Sequence, residues 1–537
     1  MTTVDRLALV NGRVYTQDAA QPTATAIACI GNRIVAVGSD DDALAAAGPG
    51  AERIDLRGQA VVPGFLDAHF HYLGYSFERQ WARLNRAASI AEIQQVIAKA
   101  VEDAPPQTSP DSWILGRGFD RNLWPGRPLP TRHDLDAVTG RRPAALLSRD
   151  FHAVWANSRA LELAGLTAET PDPAGGKIER EPDGAPGGLL LEAAGERVRA
   201  LATKASDAAA VEAARAAQDG LLKVGVTGLC NFEGVEALRA LQTLEAEGDL
   251  RLRVFTGISR PGLARAVAAG LSTGFGGDRL KVGLLKLFAD GALGSGTAAM
   301  LAPYEDGPSD ERGIPTISLD EIVGHIREAR AAGIGVATHA IGDAAVRLVL
   351  DAAEIARADD HPLAHAQILR VEHAQLVHPD DIPRFARLNV VASMQPIHAT
   401  SDMLVADRRW GERCQTAYAW RALLDSGAHV AFGTDCPVEP PEPMRGIHAA
   451  VTRQLPGGDP PGGWRPEQRV TVAEAIDAYT AASASALGLG HELGILAPGY
   501  LADAVVLAAD PYTADPSTLS EIAVSMTVFD GRIVYPQ

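Results

Sequence analysis

Cysteine is scarce in this sequence. Cys29, Cys230, Cys414 and Cys436 are the only four in 537 residues, and no two of them form a Cys-x-x-Cys pair. That excludes a disulfide framework, and a reducing cytoplasm is the expected compartment. Excess positive charge is missing as well. Lys and Arg number 49 against 67 Asp and Glu, giving a net charge of −18. This balance argues against a nucleic-acid partner, which selects for basic faces. No charge-free stretch of roughly 18 apolar residues occurs, so no membrane span is expected. The N-terminus, MTTVDRLALVNGRVY, lacks the basic start and apolar core of a signal peptide. Short-period repeats and low-complexity tracts are also absent.

What is present is length and alternation. At 537 residues the chain predicts about two to four domains, and 46% apolar with 22% charged residues is ordinary for a globular protein. The first 60 residues read as short strands with Asn-Gly, Gly-Asn and Arg-Gly turns, and the C-terminus repeats the pattern in LGILAPGYLADAVVLAA and IAVSMTVFDGRIVYPQ. Residues 1–60 and 490–537 are therefore expected to form one small β-sandwich domain. Between them, apolar segments alternate with Ala-rich helical ones, and Ser318–Glu321 and Thr471–Glu474 are capping boxes. Such alternation predicts a parallel sheet with crossover helices. Eight candidate strands, at 61–69, 144–150, 224–231, 281–289, 334–339, 369–373, 389–395 and 429–434, predict an α/β fold of the (β/α)8 TIM-barrel type over 61–74 and 216–489. An open doubly wound sheet is disfavoured because no Gly-x-Gly-x-x-Gly follows a strand. Residues 75–215 are too long for one strand–helix unit. They read as a long insertion that carries the second barrel strand and covers the barrel top.

The chemistry begins at VVPGFLDAHFHYLG. Side chains alternate along a strand, so His69 and His71 share a face at the end of the first strand, where barrel enzymes place their catalytic groups. Two neutral imidazoles on one face suit Zn²⁺ or a similar ion, although His-x-His alone is weak evidence. Later strands add to it. Lys286 lies inside the apolar run VGLLKLFADG, His339 ends GVATHAIG, His373 ends LRVEH, and Asp435 ends VAFGTD. A buried lysine loses pKa and must be paired or functional. A neutral amine can take up carbon dioxide as a carbamate and bridge two metals; the plain alternative is an ion pair with Asp290. His339 and His373 could be core histidines, and Asp435 a turn residue. Asp150 and His152, two apart on the expected second strand, are candidates to orient substrate. Trp124 in the insertion and His398 after MQPI are weaker candidates for the same role.

The order His-x-His, Lys, His, His, Asp on successive strands resembles the amidohydrolase superfamily. VVPGFLDAHFH, SRDFHAVWANSRAL, KLFADGALGSGTA, THAIGD, VEHAQ and GTDCPVEP resemble its amidohydrolase-3 branch, which includes N-substituted formamide deformylases. The resemblance covers essentially the whole chain. It implies that His69 and His71 hold one metal, that Lys286, carboxylated, bridges to a second held by His339 and His373, and that Asp435 is both ligand and general base. The implied cofactor is one or two divalent ions, zinc or similar. The implied reaction is hydrolysis of a small amide by activated water, with carbamate, urea or ester hydrolysis, or a non-enzymatic binding role, as alternatives. One departure is Gly296, where the branch carries arginine; any substrate contact by that arginine is lost here. A homodimer is a further expectation.

Overall fold

The computed structural model describes residues 5–79, 81–103, 112–204 and 206–536. Its centre is an eight-stranded parallel sheet in strict chain order. The strands are β1 (Phe65–Phe70), β2 (Val226–Asn231), β3 (Arg253–Ser259), β4 (Leu280–Phe288), β5 (Val336–Ala340), β6 (Leu369–His373), β7 (Val390–Met394) and β8 (Val430–Phe432). The last strand returns to the first. Cys436 bridges Phe70 in parallel, Asp435 N–H donates to His69 O, and His71 N–H donates to Cys436 O. The strands are buried on both faces and read as near-continuous apolar runs, as parallel strands under helices must. Helices such as Leu319–Ala331 and Asp343–Arg357 cover the outside. The first of these starts at the expected capping box, with Ser318 and Glu321 each accepting from the other's backbone.

Several sequence expectations need correction. The run at 144–150 is not a barrel strand. Ala144–Ser148 pairs with Ile114–Phe119 and Ala153–Ala156 in a separate six-stranded sheet of the insertion. The third barrel strand, Arg253–Ser259, was absent from the candidates. Its charged first residue hides it: Arg253 is buried, with Nε 2.6 Å from Asp503 and Nη2 3.1 Å from Asp530, so the C-terminal segment neutralises it. The boundary expected at 215 also falls inside a helix. Asp207–Lys223 lays Ala210, Ala214, Ala217 and Leu221 against Phe70 and Tyr72 and belongs with the barrel.

Both chain ends build the flanking β structure. Arg33–Gly38, Ala26–Ile30, Arg6–Val10 and Glu52–Asp55 form a four-stranded sheet. A six-stranded sheet joins Ala60–Pro63 to Ala504–Leu507 in antiparallel register, so the expected break between 60 and 61 lies within a strand. Leu7, Ile27 and Cys29 of the first sheet share an apolar cluster with Val61, Val506 and Val528 of the second. Among the described residues, no helix is long and apolar enough to cross a membrane.

Candidate metal centre

Alternation along β1 separates its residues by face. Phe70 packs into the apolar cluster of Tyr72, Leu221 and Leu229. His69 and His71 both turn to Asp435, which leaves the end of β8. His71 Nε2 is 3.1 Å and His69 Nε2 3.5 Å from its Oδ1. The other oxygen, Oδ2, lies 3.4 Å from His398 Nε2 and 3.9 Å from His373 Nδ1. One carboxylate thus faces two histidine pairs. Within each group, His69/His71/Asp435 and His373/His398/Asp435, the candidate ligand atoms lie within 4.8 Å of one another. All five line a cavity of about 1360 Å³.

These donors suit a divalent ion. His69 Nδ1–H donates to Glu372 Oε2 at 2.6 Å, which leaves Nε2 with its lone pair facing Asp435. His373 Nδ1 meets Gln395 Oε1 at 2.8 Å, and His339 Nε2 meets the Gly291 carbonyl at 3.0 Å, so Nδ1 carries the lone pair of His339. Burial, with Lys286 adding to it, holds His69 down to about 4. Burial likewise drives His339 and His373 well below the ordinary imidazole value. Neutral imidazole is the ligand form. Burial would raise Asp435, but the polar groups around it outweigh burial and hold it well below its ordinary value, so the carboxylate stays ionised. Asp435 Oδ1 and His398 Nε2 are buried without a hydrogen-bond partner among the described residues. Unmatched buried polar atoms are costly; a cation in the His69/His71 group would partner the first, and one in the His373/His398 group the second. Asp435 (φ 56°), His373 (φ 75°) and Ala374 (φ 42°) hold left-handed backbone, each at a cost of roughly 1–3 kcal/mol.

Lys286 on β4 is buried beside this group. Its Nζ lies 3.4 Å from His69 Nε2 and 4.6 Å from the centre of the Phe232 ring. Burial lowers it to about 8. Asp290 is engaged elsewhere: it accepts from the backbone of Ala299, Ile341 and Gly342 and holds the loops after β4 and β5 together.

The model of the amidohydrolase family matches residues 52–535. This chain belongs to the amidohydrolase family. It is 31% identical to the N-substituted formamide deformylase of Arthrobacter pascens, over 100% of this chain and 99% of that protein. It is 32% identical to Protein LONG AFTER FAR-RED 3 of Arabidopsis thaliana, over 99% and 91% respectively. A crystal structure of an uncharacterized metal-dependent hydrolase from Pyrococcus horikoshii OT3 superposes with a TM-score of 0.79 at 30% identity, covering 95% of this chain and 99% of that one.

In this amidohydrolase the insertion supplies part of the cavity wall. Asp150 and His152 line it, though from a turn between two insertion strands rather than from the barrel. Asp150 Oδ1 accepts from Ser148 Oγ and from His152 N–H. His152 Nδ1 lies 2.8 Å from Glu192, and its ring centre is 5.7 Å from that of His339. Burial alone would lower His152, but the Glu192 carboxylate outweighs it and pushes the imidazole up to about 9. His398 sits on the helix Pro396–Trp410, beyond β7, and reaches Asp435 from there. Trp124 does not line the cavity. Its indole is buried against Phe119 and Trp155 and donates to Ala87 O, so it anchors the insertion. Gly296, at φ 75°, leaves room for Arg409, whose Nη1 lies 2.9 Å from where a Cβ would stand.

Three acids were passed over in the sequence. Glu372 orients His69 and pairs with Arg370 Nε at 2.8 Å and Nη2 at 3.0 Å. Asp67 accepts from His69 N–H and from Thr434 N–H and Oγ1. Glu439 lies 3.9 Å from His398 Nδ1 and is held at 2.5 Å by Arg149 of the insertion. The available signal was an acid inside or beside an otherwise apolar run, in FLDAHF and LRVEH, which demands a buried partner.

Proposed function

We propose that the protein is a metal-dependent hydrolase of a small amide, with an N-substituted formamide as the leading candidate. The observation that carries this reading is Asp435, whose two oxygens each face a histidine pair in one cavity. His69, His71, His373, His398 and Asp435 would hold zinc or a similar ion, with Lys286 and His339 beside them. A divalent ion of this kind acidifies water, from a pKa of about 15.7 to near 7, and polarises an acyl oxygen. Asp435 orients the attacking water and takes its proton on a carboxylate oxygen. An oxygen–carbon bond forms at the acyl carbon and the carbon–nitrogen bond breaks. Asp435 then passes the proton to the leaving nitrogen, giving an acid and an amine. Glu372 keeps His69 in one tautomer throughout, and the Asp150–His152 turn orients the substrate.

Lys286 is proposed to be carboxylated. The neutral amine adds carbon dioxide, forming a nitrogen–carbon bond and releasing a proton, and its lowered value of about 8 makes that form accessible near neutrality. Protein prepared in carbon-13 bicarbonate is expected to show one carbamate resonance that Lys286→Ala loses; a wild-type spectrum without it refutes the modification.

The reading is tested by purifying the protein without added metal or chelator, measuring bound metal, and assaying amine release from N-substituted formamides and short-chain amides. Bound zinc or a similar ion and chelator-sensitive turnover restored by metal are expected. Protein that neither binds metal nor hydrolyses any of these after reconstitution overturns it.

A further inference from the structure

The insertion places a cation in the cavity wall that the proposed chemistry does not use. Arg121 opens the short turn Arg121–Leu123, which Asp120 caps by accepting from Asn122 N–H at 2.9 Å. The turn is pinned from both sides. Asn122 Nδ2 donates to the Gly294 carbonyl at 3.2 Å, and its Oδ1 accepts from Arg408 Nη2 at 2.9 Å. Arg121, Asn122 and Gly294 line the same cavity as His69, His71 and Asp435. The Arg121 side chain is half-buried, and among the described residues it has no hydrogen bond, ion pair or ring contact. Its half-buried neighbours in the wall are committed: Arg149 to Glu439 and Arg199 to Glu196.

Charges of both signs surround Arg121: Asp120, Asp150 and Glu179 line the same wall, and three further arginines lie close by. Arg408, Arg409 and Arg127 lie 2.8, 3.6 and 3.8 Å from one carboxylate, Asp306. Burial and then the Arg409 charge act on Arg121 to disfavour its charged form. The acids that act the other way are already occupied. Glu179 pairs with Lys177 at 2.7 Å, and Asp120 holds Asn122. A partly desolvated guanidinium without an ion pair gains most from an incoming anion, because its planar fork matches two oxygens at once.

We infer that Arg121 receives an anionic group, carboxylate or phosphate, carried by the substrate away from the scissile bond. This rests on the amide-hydrolase reading and narrows it: the substrate class is an N-acyl compound whose amine or acyl part bears a negative charge. The rigid Arg121–Leu123 turn fixes where that charge sits and so orients the amide toward Asp435.

The test compares three substrates of similar size: N-propylformamide, N-formyl-β-alanine and N-formylaminoethyl phosphate. Wild-type protein is expected to prefer one or both anions by about tenfold in kcat/KM, and Arg121→Gln to lower the anionic-to-neutral ratio by about tenfold or more. Which anion loses more identifies carboxylate or phosphate. An unchanged ratio in Arg121→Gln, or no wild-type preference for either anion, overturns the inference while leaving amide hydrolysis intact. If none of the three is hydrolysed, calorimetry decides separately. Binding of an anionic compound that Arg121→Gln loses supports the site, and equal binding by both proteins, or none by wild type, overturns it.

Discussion

Asp435→Asn is expected to fold normally and to hydrolyse amides about a hundred- to ten-thousandfold more slowly than wild type, the range that a positioned proton carrier supplies. The substitution keeps the size of the side chain and the backbone bonds that close the barrel at this residue, Asp435 N–H to His69 O and Val438 N–H to Asp435 O. What it removes is one anionic oxygen. In wild type, Oδ1 faces His69 and His71 while Oδ2 faces His373 and His398. An amide offers an acceptor to only one of those pairs and turns an NH2 group on the other. It has no basicity with which to take a proton from water. Metal content is expected to fall together with kcat. The measurements are steady-state kinetics, elemental analysis and a thermal melt; near-normal kcat in a fully metallated variant removes Asp435 from the proton path.

Glu372→Ala is expected to cost about 3–5 kcal/mol of stability, because it strands a buried guanidinium. Arg370 and Glu372 are both fully buried and joined by two hydrogen bonds. Without the carboxylate, Arg370 keeps neutral partners in Ala68 O and Ser393 Oγ but nothing to balance its charge. The same change frees the His69 ring to take the other tautomer, and metal affinity is expected to fall by about ten- to a hundredfold. Denaturant unfolding of metal-free protein isolates the first effect, and metal titration isolates the second. Glu372→Gln restores an acceptor for His69 without the charge, so it is expected to recover part of the metal affinity and little of the stability. Metal-free stability within about 1 kcal/mol of wild type in Glu372→Ala contradicts the argument.

Much of the barrel was legible because buried parallel strands advertise themselves as short apolar runs ending in a polar residue. Seven of the eight candidate runs, those other than 144–150, overlap barrel strands. The eighth failed for a physical reason. Ala144–Ser148 is as buried as any barrel strand, and nothing local says which sheet a buried strand joins. The strand it displaced, Arg253–Ser259, opens on a charge whose partners lie some 250 residues later, and no local pattern reveals a neutralised arginine. In the site, His69 and His71 both approach Asp435, although His71 lies one residue beyond the strand. The spacing could not show that His398 reaches Asp435 from a helix, or that Trp124 turns inward. Glu372 and Asp67 sat in plain view next to the histidines, but their roles come from residues on other strands.

The closure between β1 and β8 also sets an order in time. Asp67 accepts from Thr434, 367 positions further along the chain, and His69 meets Asp435 across the same seam. Pairings so distant pay a large loop-closure entropy and form late. A chain emerging from the ribosome therefore carries His69 and His71 long before it owns the carboxylate that completes either candidate group. Until residue 435 arrives, the histidines of both candidate groups lack the carboxylate they share. Assembly of both candidate groups is thus tied to synthesis past residue 435: a product terminated before it can hold most of the barrel strands and neither group.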